Sequence, residues 1–322
     1  MATVETGARL HFGFQNLALA HDRLYGGVGV ALEEPRVVIE AEPAPEVRCE
    51  DAELAGYARE AVDLLGVEGA ELWVREDFPR HVGFGSGTQL ALSCLVAVGR
   101  AHGRTVDVRE LAPDMGRAGR SGVGVATFEA GGFVVDAGHP TERFTTAPPP
   151  RGSWTVPPTV ARHELPEDWR FVLVTPEVGA GRSGAPEEES MRAVVDRADP
   201  GIADGIAHLL VRRLLPAVAG GDVATFSAAV ARLGRLNGAW YADQQGGVYR
   251  PPAGRIVARL TDSHLVFGAG QSSWGPTVYG VTRAPDLEGA VDAARTALEE
   301  VGVEGGVRTA APRSAGATVT DG

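Results

Sequence analysis

The residues best suited to chemistry in this chain sit in four short segments. The first is HVGFGSGTQLALS, residues 81–93, where Gly83, Gly85 and Gly87 fall within five positions and Ser86, Thr88 and Gln89 supply polar groups. Glycines there let backbone N–H groups approach an anion, and the helical pattern that follows adds the positive end of its dipole. Ser86 and Thr88 can contribute hydroxyls. The second segment, GAGQSSWGPTVYG at 268–280, again mixes small residues and hydroxyls: Gly270, Gln271, Ser272 and Ser273. The third, GRSGVGVATFEAGGFVVDAGH at 119–139, offers Arg120, backbone approach at Gly122 and Gly124, and polar groups at Asp136 and His139. The fourth, RLHFGF at 9–14, puts Arg9 and His11 on one face of a strand, because strand side chains alternate. A cation and an imidazole on one face suit an anionic substrate. Each segment has a plainer reading too: a tight turn, a hairpin, or an exposed pair.

Other chemistries are disfavoured. The chain has no lysine at all, so the first loop is not a Walker A loop, and it lacks G-x-G-x-x-G. The eight histidines form neither H-x-H nor H-E-x-x-H, and there is no G-x-S-x-G elbow. Cys49 and Cys94 lack metal-site spacing and read as reduced thiols. A net charge of -12 argues against nucleic-acid binding. No apolar run approaches the roughly 18–20 residues of a membrane span, and no signal peptide is visible, so a cytoplasmic protein is expected.

The elements that must position these residues follow from periodicity. Residues 7–15, 27–41 and 70–77 read as strands, and 52–66 as an amphipathic helix closed by Gly66. A helix near 88–102 follows the first glycine loop. Residues 122–130 and 132–138 read as two strands joined by an AGG turn. The proline-rich stretch 141–168 separates the halves. Beyond it come a strand at 169–176, a helix opening with PEEES, helices at 202–219 and 222–238, strands at 261–268 and 276–282, and a helix at 286–302. The expectation is an α+β fold of two domains, 1–150 and 165–303, with a cleft between them and a disordered tail at 304–322.

The four segments, in this order, resemble the GHMP small-molecule kinase superfamily, with its N-terminal strand motif, Gly-Ser loop and late Gly-rich loop. More narrowly, RLHFGF, YGGVGVALEEP, HVGFGSGTQLAL, SGVGVATFEAGGFVVDAGH and QSSWGPTVYG are similar to patterns of the β-ribofuranosylaminobenzene 5′-phosphate synthase family. That resemblance implies condensation of phosphoribosyl pyrophosphate with 4-aminobenzoate or 4-hydroxybenzoate, with loss of pyrophosphate and CO2, on the way to a methanopterin-type cofactor. It implies Mg2+ with the donor, held with help from Ser86 and Thr88. Arg9, His11, Arg120 and Gln271 are the candidate catalytic residues. Gly83, Gly85, Ser86, Gly87, Thr88, Gln89, Gly122, Gly124, Gly270, Ser272 and Ser273 are the candidate phosphate binders. A homodimer is expected.

Departures from the kinase pattern sharpen the choice. Gly124 stands where several of those kinases carry an Asp in S-G-x-D, Gly87 replaces the second Ser of the loop, and a catalytic lysine is impossible. Phosphoryl transfer depends on positioned charge. A decarboxylating aryl condensation tolerates the missing Asp, because loss of CO2 restores the aromatic ring. An ATP-dependent kinase that recruited Asp22 or Asp136 as base, and a non-catalytic phosphometabolite-binding protein, remain as alternatives.

Overall fold

The computed structural model describes residues 1–179 and 185–321. Two long antiparallel strands, β1 (Ala2–Asn16) and β2 (Arg23–Pro43), open the chain. They pack so closely that a Cβ on Gly7 would lie 1.7 Å from the Leu32 carbonyl oxygen. The β1–β2 register shifts between Gly7 and Arg9 and again between His11 and Gly13, and in the regular stretch between these shifts Arg9 and His11 share one side. Helix α1 (Ala52–Leu65) starts at Asp51, whose side chain accepts the Leu54 N–H, and ends at left-handed Gly66. Strand β3 (Ala70–Glu76) pairs with β2. Helix α2 (Ser86–Ala101) lies against β1 and β2, and the single turn α3 (Val108–Leu111) follows.

Residues 123–130 differ from the expected strand. They form helix α4 (Val123–Ala130), and the AGG stretch ends it at Gly131 instead of closing a hairpin. Val123, Gly124, Val125, Ala126, Thr127 and Phe128 are all buried. A helix enclosed on every side shows no amphipathic period, and its β-branched residues mimic a strand. Strands β4 (Phe133–Asp136), β5 (His139–Pro140) and β6 (Thr159–His163) complete this part of the first sheet, which with β11 (Thr318–Asp321) is ordered β11-β1-β2-β4-β6 with β3 and β5 on β2.

The second sheet has the order β10-β7-β9-β8, built from β7 (Trp169–Pro176), β8 (Gly268–Gln271), β9 (Val278–Arg283) and β10 (Gly305–Ala310). Its helices are α5 (Ala185–Val195), α6 (Pro200–Leu209), α7 (Leu215–Gly220), α8 (Val223–Gln245), α9 (Ala253–Asp262) and α10 (Leu287–Val301). A π turn at Leu210–Leu214 carries α6 into α7. Helix α9 occupies residues that had no expected element up to 260 and were expected as strand from 261. Ile256, Val257 and Leu260 form its buried stripe.

The tail is ordered, contrary to expectation. Residues 305–310 pair with β7, and β11 (Thr318–Asp321) returns to pair with β1 in the first sheet. Gly, Ala and Thr there make backbone ladders that need few apolar side chains. Arg313, 5% exposed, ties the return with hydrogen bonds to Glu5 and Glu33.

An aromatic cluster joins the two sheets. Phe226 of α8 has its ring centroid 4.8 Å from Trp169, 5.9 Å from Phe133 and 6.0 Å from Phe12. Each such buried ring contributes about 1.5–3 kcal/mol. Asn237 of α8 adds a polar stitch: its Oδ1 accepts the Phe14 N–H at 2.7 Å and its Nδ2 donates to the Phe14 carbonyl at 3.0 Å. The two sheets are thereby held against one cavity.

Candidate active site

The glycine loop at 82–87 is laced to β1 and to the loop after β8. Ser272 Oγ donates to the Gly83 carbonyl at 2.7 Å and accepts the His11 N–H at 3.2 Å. Arg9 N–H donates to Phe84, Ser273 N–H to His11 and Thr277 N–H to Val82. The lacing demands small residues: a Cβ on Gly83 would lie 2.6 Å from the Ser272 carbonyl oxygen, and one on Gly275 would lie 2.1 Å from the Val82 backbone. Gly85, at φ 76°, is the N-cap of α2, and no side chain caps that helix. Ser86 Oγ accepts the His81 N–H at 3.3 Å. The positive end of α2 therefore faces a cavity of about 720 Å³ lined by Gly83, Gly85, Ser86, Gly87 and Thr88.

Cations dominate the rest of the lining. Arg9, Arg117, Arg120, Arg143 and Arg192 face it, with His11, His81 and His139, and Glu188 is the sole carboxylate among its described lining residues. Three of these guanidiniums lie on aromatic rings: Arg117 on Tyr57 at 5.0 Å, Arg143 on Trp154 at 5.6 Å and Arg192 on Phe144 at 4.5 Å. Stacking fixes a planar cation before any anion arrives. Backbone strain gathers here as well. Among the described residues, the non-glycine positions with positive φ are Tyr25, His81, Ala118 and Ser273, and all of them line this cavity. Each such residue stores about 1–3 kcal/mol, and strain of this kind collects at functional sites.

Beneath the lining runs a polar chain. Asp136, wholly buried at the end of β4, accepts N–H groups from Gly27 and Gly122 on Oδ2 and from Gly138 on Oδ1, each at 2.8 Å. Ser121 Oγ–H donates to Asp136 Oδ2 at 2.9 Å. Burial raises the Asp136 pKa, while its N–H donors and the Ser121 hydroxyl pull it back. With its proton given to Asp136, Ser121 Oγ accepts from Val123 N–H at 3.2 Å and from His11 Nε2 at 3.3 Å. His11 therefore carries its hydrogen on Nε2 and keeps Nδ1 as an acceptor. Burial, followed by the charges of Arg9 and Arg120, holds His11 well below its ordinary pKa, so the ring is neutral.

His139 is fixed the same way. Its Nε2 donates to the Ala118 carbonyl at 2.8 Å, which leaves Nδ1 to accept from Arg143. Burial, then the Arg143 charge, pushes its pKa down to about 4. An unfolded histidine titrates near about 6.5. Between those values the unfolded chain binds more protons, so stability is full above the upper value and falls as pH drops toward the lower one. Urea midpoints measured across this range should decline on acidification. The decline should shrink in His139→Gln; an identical slope in that variant would show that His139 is not neutral in the fold.

The cavity gathers Arg9, His11, Arg120, Gly83, Gly85, Ser86, Gly87, Thr88 and Ser273 from the expected set. Others serve it from behind. Gln89 is 1% exposed; its Oε1 accepts from Thr6 Oγ1 and its Nε2 donates to the Gly124 carbonyl, tying α2 to α4. Gln271 holds the late loop, accepting from Arg250 N–H and donating to the Ser273 carbonyl. Ser272 spends its hydroxyl on Gly83, and Gly122 spends its N–H on Asp136. Gly124 packs on Thr88 and Gly270 on Tyr279, where a Cβ would meet side-chain atoms at 3.0 and 2.6 Å. None of these six lines the cavity. Of the two alternative bases, Asp136 is sealed beneath the lining and Asp22 is exposed outside it. Arg117, Arg143 and Arg192 lie outside the motifs, and Tyr25 and Ser121 open two of them without having been singled out. Arg117 and Arg120 flank one motif as R-A-G-R, a visible clue in a lysine-free chain.

Comparison with known proteins agrees with this construction. Residues 53–132 match the GHMP kinases N terminal domain. Beta-ribofuranosylphenol 5′-phosphate synthase of Methanothermobacter thermautotrophicus is 33% identical over 294 residues, covering 87% of this chain and 88% of that protein. Its counterpart from Archaeoglobus fulgidus is 34% identical over 290 residues, covering 88% of each. Among solved structures, mevalonate pyrophosphate decarboxylase from Streptococcus pyogenes aligns over 98% of this chain and 97% of its own, with a TM-score of 0.66 at 11% identity. That last likeness shows the GHMP fold alone. Identity at the level of the two archaeal proteins, sustained over nearly the whole length, means that this chain belongs to the beta-ribofuranosylphenol 5′-phosphate synthase family.

Proposed function

We propose that the protein condenses phosphoribosyl pyrophosphate with a 4-substituted benzoate, releasing pyrophosphate and CO2 and joining ribose C1 to the ring. The observation that carries this reading is the lining itself: five arginines converge with the open end of α2 on a cavity whose described residues include a single carboxylate, Glu188. Such a site stabilises leaving anions. The kinase alternative is weakened further at Gly124, which carries no carboxylate and where even a Cβ would meet the Thr88 side chain at 3.0 Å. The phenol in the names of the archaeal relatives favours 4-hydroxybenzoate over 4-aminobenzoate.

The chemistry assigned to this site is as follows. The C1–O bond to pyrophosphate breaks and the electron pair leaves on the diphosphate, cradled by the N–H groups at Gly85–Gly87 and by Arg9. The ring carbon bearing the carboxylate bonds to C1. His11 Nδ1 takes the phenol proton as that bond forms. The carbon–carboxylate bond then breaks, CO2 leaves, its electron pair restores the ring, and the proton returns to the phenolate. Arg9 and Arg120 orient the carboxylate before it goes.

Mg2+ fits here as a companion of the donor. Among the described residues no group of three His, Cys, Asp or Glu could hold a metal ion. Magnesium commonly binds through substrate phosphates with few protein oxygens, and the Ser86 and Thr88 hydroxyls at the loop are the ones that would help hold it. When bound, it neutralises charge on the departing pyrophosphate.

Incubation with phosphoribosyl pyrophosphate, Mg2+ and each arene tests the reading. Pyrophosphate and CO2 should appear in equal amounts, faster with 4-hydroxybenzoate. ADP formation from ATP with an alcohol acceptor, and no pyrophosphate release, would overturn it.

A further inference from the structure

The donor in that reaction is anionic at two places, its C1 diphosphate and its 5′-phosphate, and the cavity is cationic at two places. One is the glycine loop with Arg9 and Arg117, whose Nη1 lies 3.3 Å from where a Gly87 Cβ would sit. The other is the segment 139–145, where Arg143 and Arg192 meet around Phe144. We infer that Arg143 and Arg192 form a second anion subsite, built for a phosphate monoester and distinct from the loop that holds the leaving group. This rests on the reading above for its substrate and on the following geometry for its existence.

Arg143 is a cation prepared for an anion that the fold does not supply. It lies on Trp154, and one Nη1 hydrogen bonds to neutral His139 Nδ1. Its Nε is buried without a hydrogen-bond partner among the described residues, and no carboxylate pairs with it there. Burial lowers its pKa, which an incoming anion would reverse. Arg192 reaches the same segment from α5, in the other half of the chain. It lies on Phe144 and donates to the Thr145 carbonyl, and its ion pair with Glu188 is long, at 3.9 Å. Tyr25, held in left-handed backbone, lines the same cavity, and its hydroxyl feels Arg120, Glu188, Arg192 and Arg143, although burial is what pushes its pKa up to about 12. Two arginines from two halves of the molecule thus converge on one wall.

Phosphate monoester is favoured over the arene carboxylate as occupant for two reasons. A dianion matches two guanidinium forks. The arene carboxylate is already met by Arg9 and Arg120, and it leaves as neutral CO2, so a second arginine pair gains nothing from it as the reaction proceeds. The 5′-phosphate keeps its charge throughout, so a firm hold there orients ribose C1 without opposing the chemistry.

Calorimetric titration of the full chain with ribose 5-phosphate and with pyrophosphate tests this without turnover. Both should bind at once, each leaving the other's affinity largely intact. Arg143→Gln and Arg192→Gln should each weaken ribose 5-phosphate about tenfold or more and spare pyrophosphate. Gly85→Val should do the reverse. Arg143→Lys, which keeps the charge and loses the fork, should be intermediate, and matched melting curves exclude unfolding. Competition between the two probes for one site, or unchanged ribose 5-phosphate affinity in both glutamine variants, would overturn the subsite. If those variants lose ribose 5-phosphate while the native protein never turns over an arene, the subsite stands and the synthase reading falls.

Discussion

Gly85→Val should abolish measurable binding of phosphoribosyl pyrophosphate, lowering affinity at least about 100-fold, or nearly 3 kcal/mol. Two effects combine at this position. The residue sits at φ 76°, where a β-branched side chain is strained by about 1–2 kcal/mol. A Cβ would also lie 2.8 Å from Arg9 Nε and 3.0 Å from its Cζ, so the side chain must push the Arg9 guanidinium out of the cavity. The same substitution thereby removes backbone approach and one cation. Gly66→Val provides the control. Gly66 has φ 60° at the end of α1, with nothing within 4 Å of its would-be Cβ. That variant carries the strain and none of the displacement, so it should lose some stability and keep its affinity. Titration of both variants with the Mg2+-loaded donor, alongside melting curves, separates strain from site. Unchanged affinity in a folded Gly85→Val protein would remove this loop from the reaction.

The parts of this site that were legible in the sequence share a cause. Glycines forced by close approach, such as Gly83 and Gly85, leave a compositional trace, and so does the alternation that brings Arg9 and His11 to one face. Amphipathic elements such as α1 were equally open to reading, because one face is wet. Helix α4 was not, since burial on all sides erases its period. Nor were β10 and β11, whose order comes from pairing with distant strands and leaves no local pattern. The GHMP resemblance carried the fold, whereas Gly122, Gly124 and Gln89, offered as phosphate binders, lie behind the lining of this cavity. Conversely, Arg143 and Arg192 lie in segments without a motif. Their role follows from the fold bringing Trp154, Phe144 and His139 beside them, which no spacing in the chain announces.

Ser121 is where such a support reaches the chemistry. If His11 accepts the phenol proton, its Nδ1 must be the bare nitrogen, and that depends on Ser121 taking the Nε2 hydrogen while giving its own to Asp136. Ser121→Ala deletes one hydroxyl, so the fold should hold, while kcat falls about 100-fold and the KM for the donor stays near its native value. Asp136→Ala strips the acceptor from three N–H groups and a hydroxyl, and should cost about 4 kcal/mol of stability as well as activity. Asp136→Asn is gentler. Its carboxamide oxygen can serve the edge facing Gly27, Gly122 and Ser121, but its NH2 then opposes the Gly138 N–H, costing about 1–3 kcal/mol. Because Asp136 influences His11 only through Ser121, the double variant Ser121→Ala, Asp136→Asn should be no slower than Ser121→Ala alone. Losses that multiply would show that Asp136 acts by holding the fold, independently of the histidine. A kcat for Ser121→Ala within about twofold of native would remove the relay, and with it the tautomer that makes His11 a base.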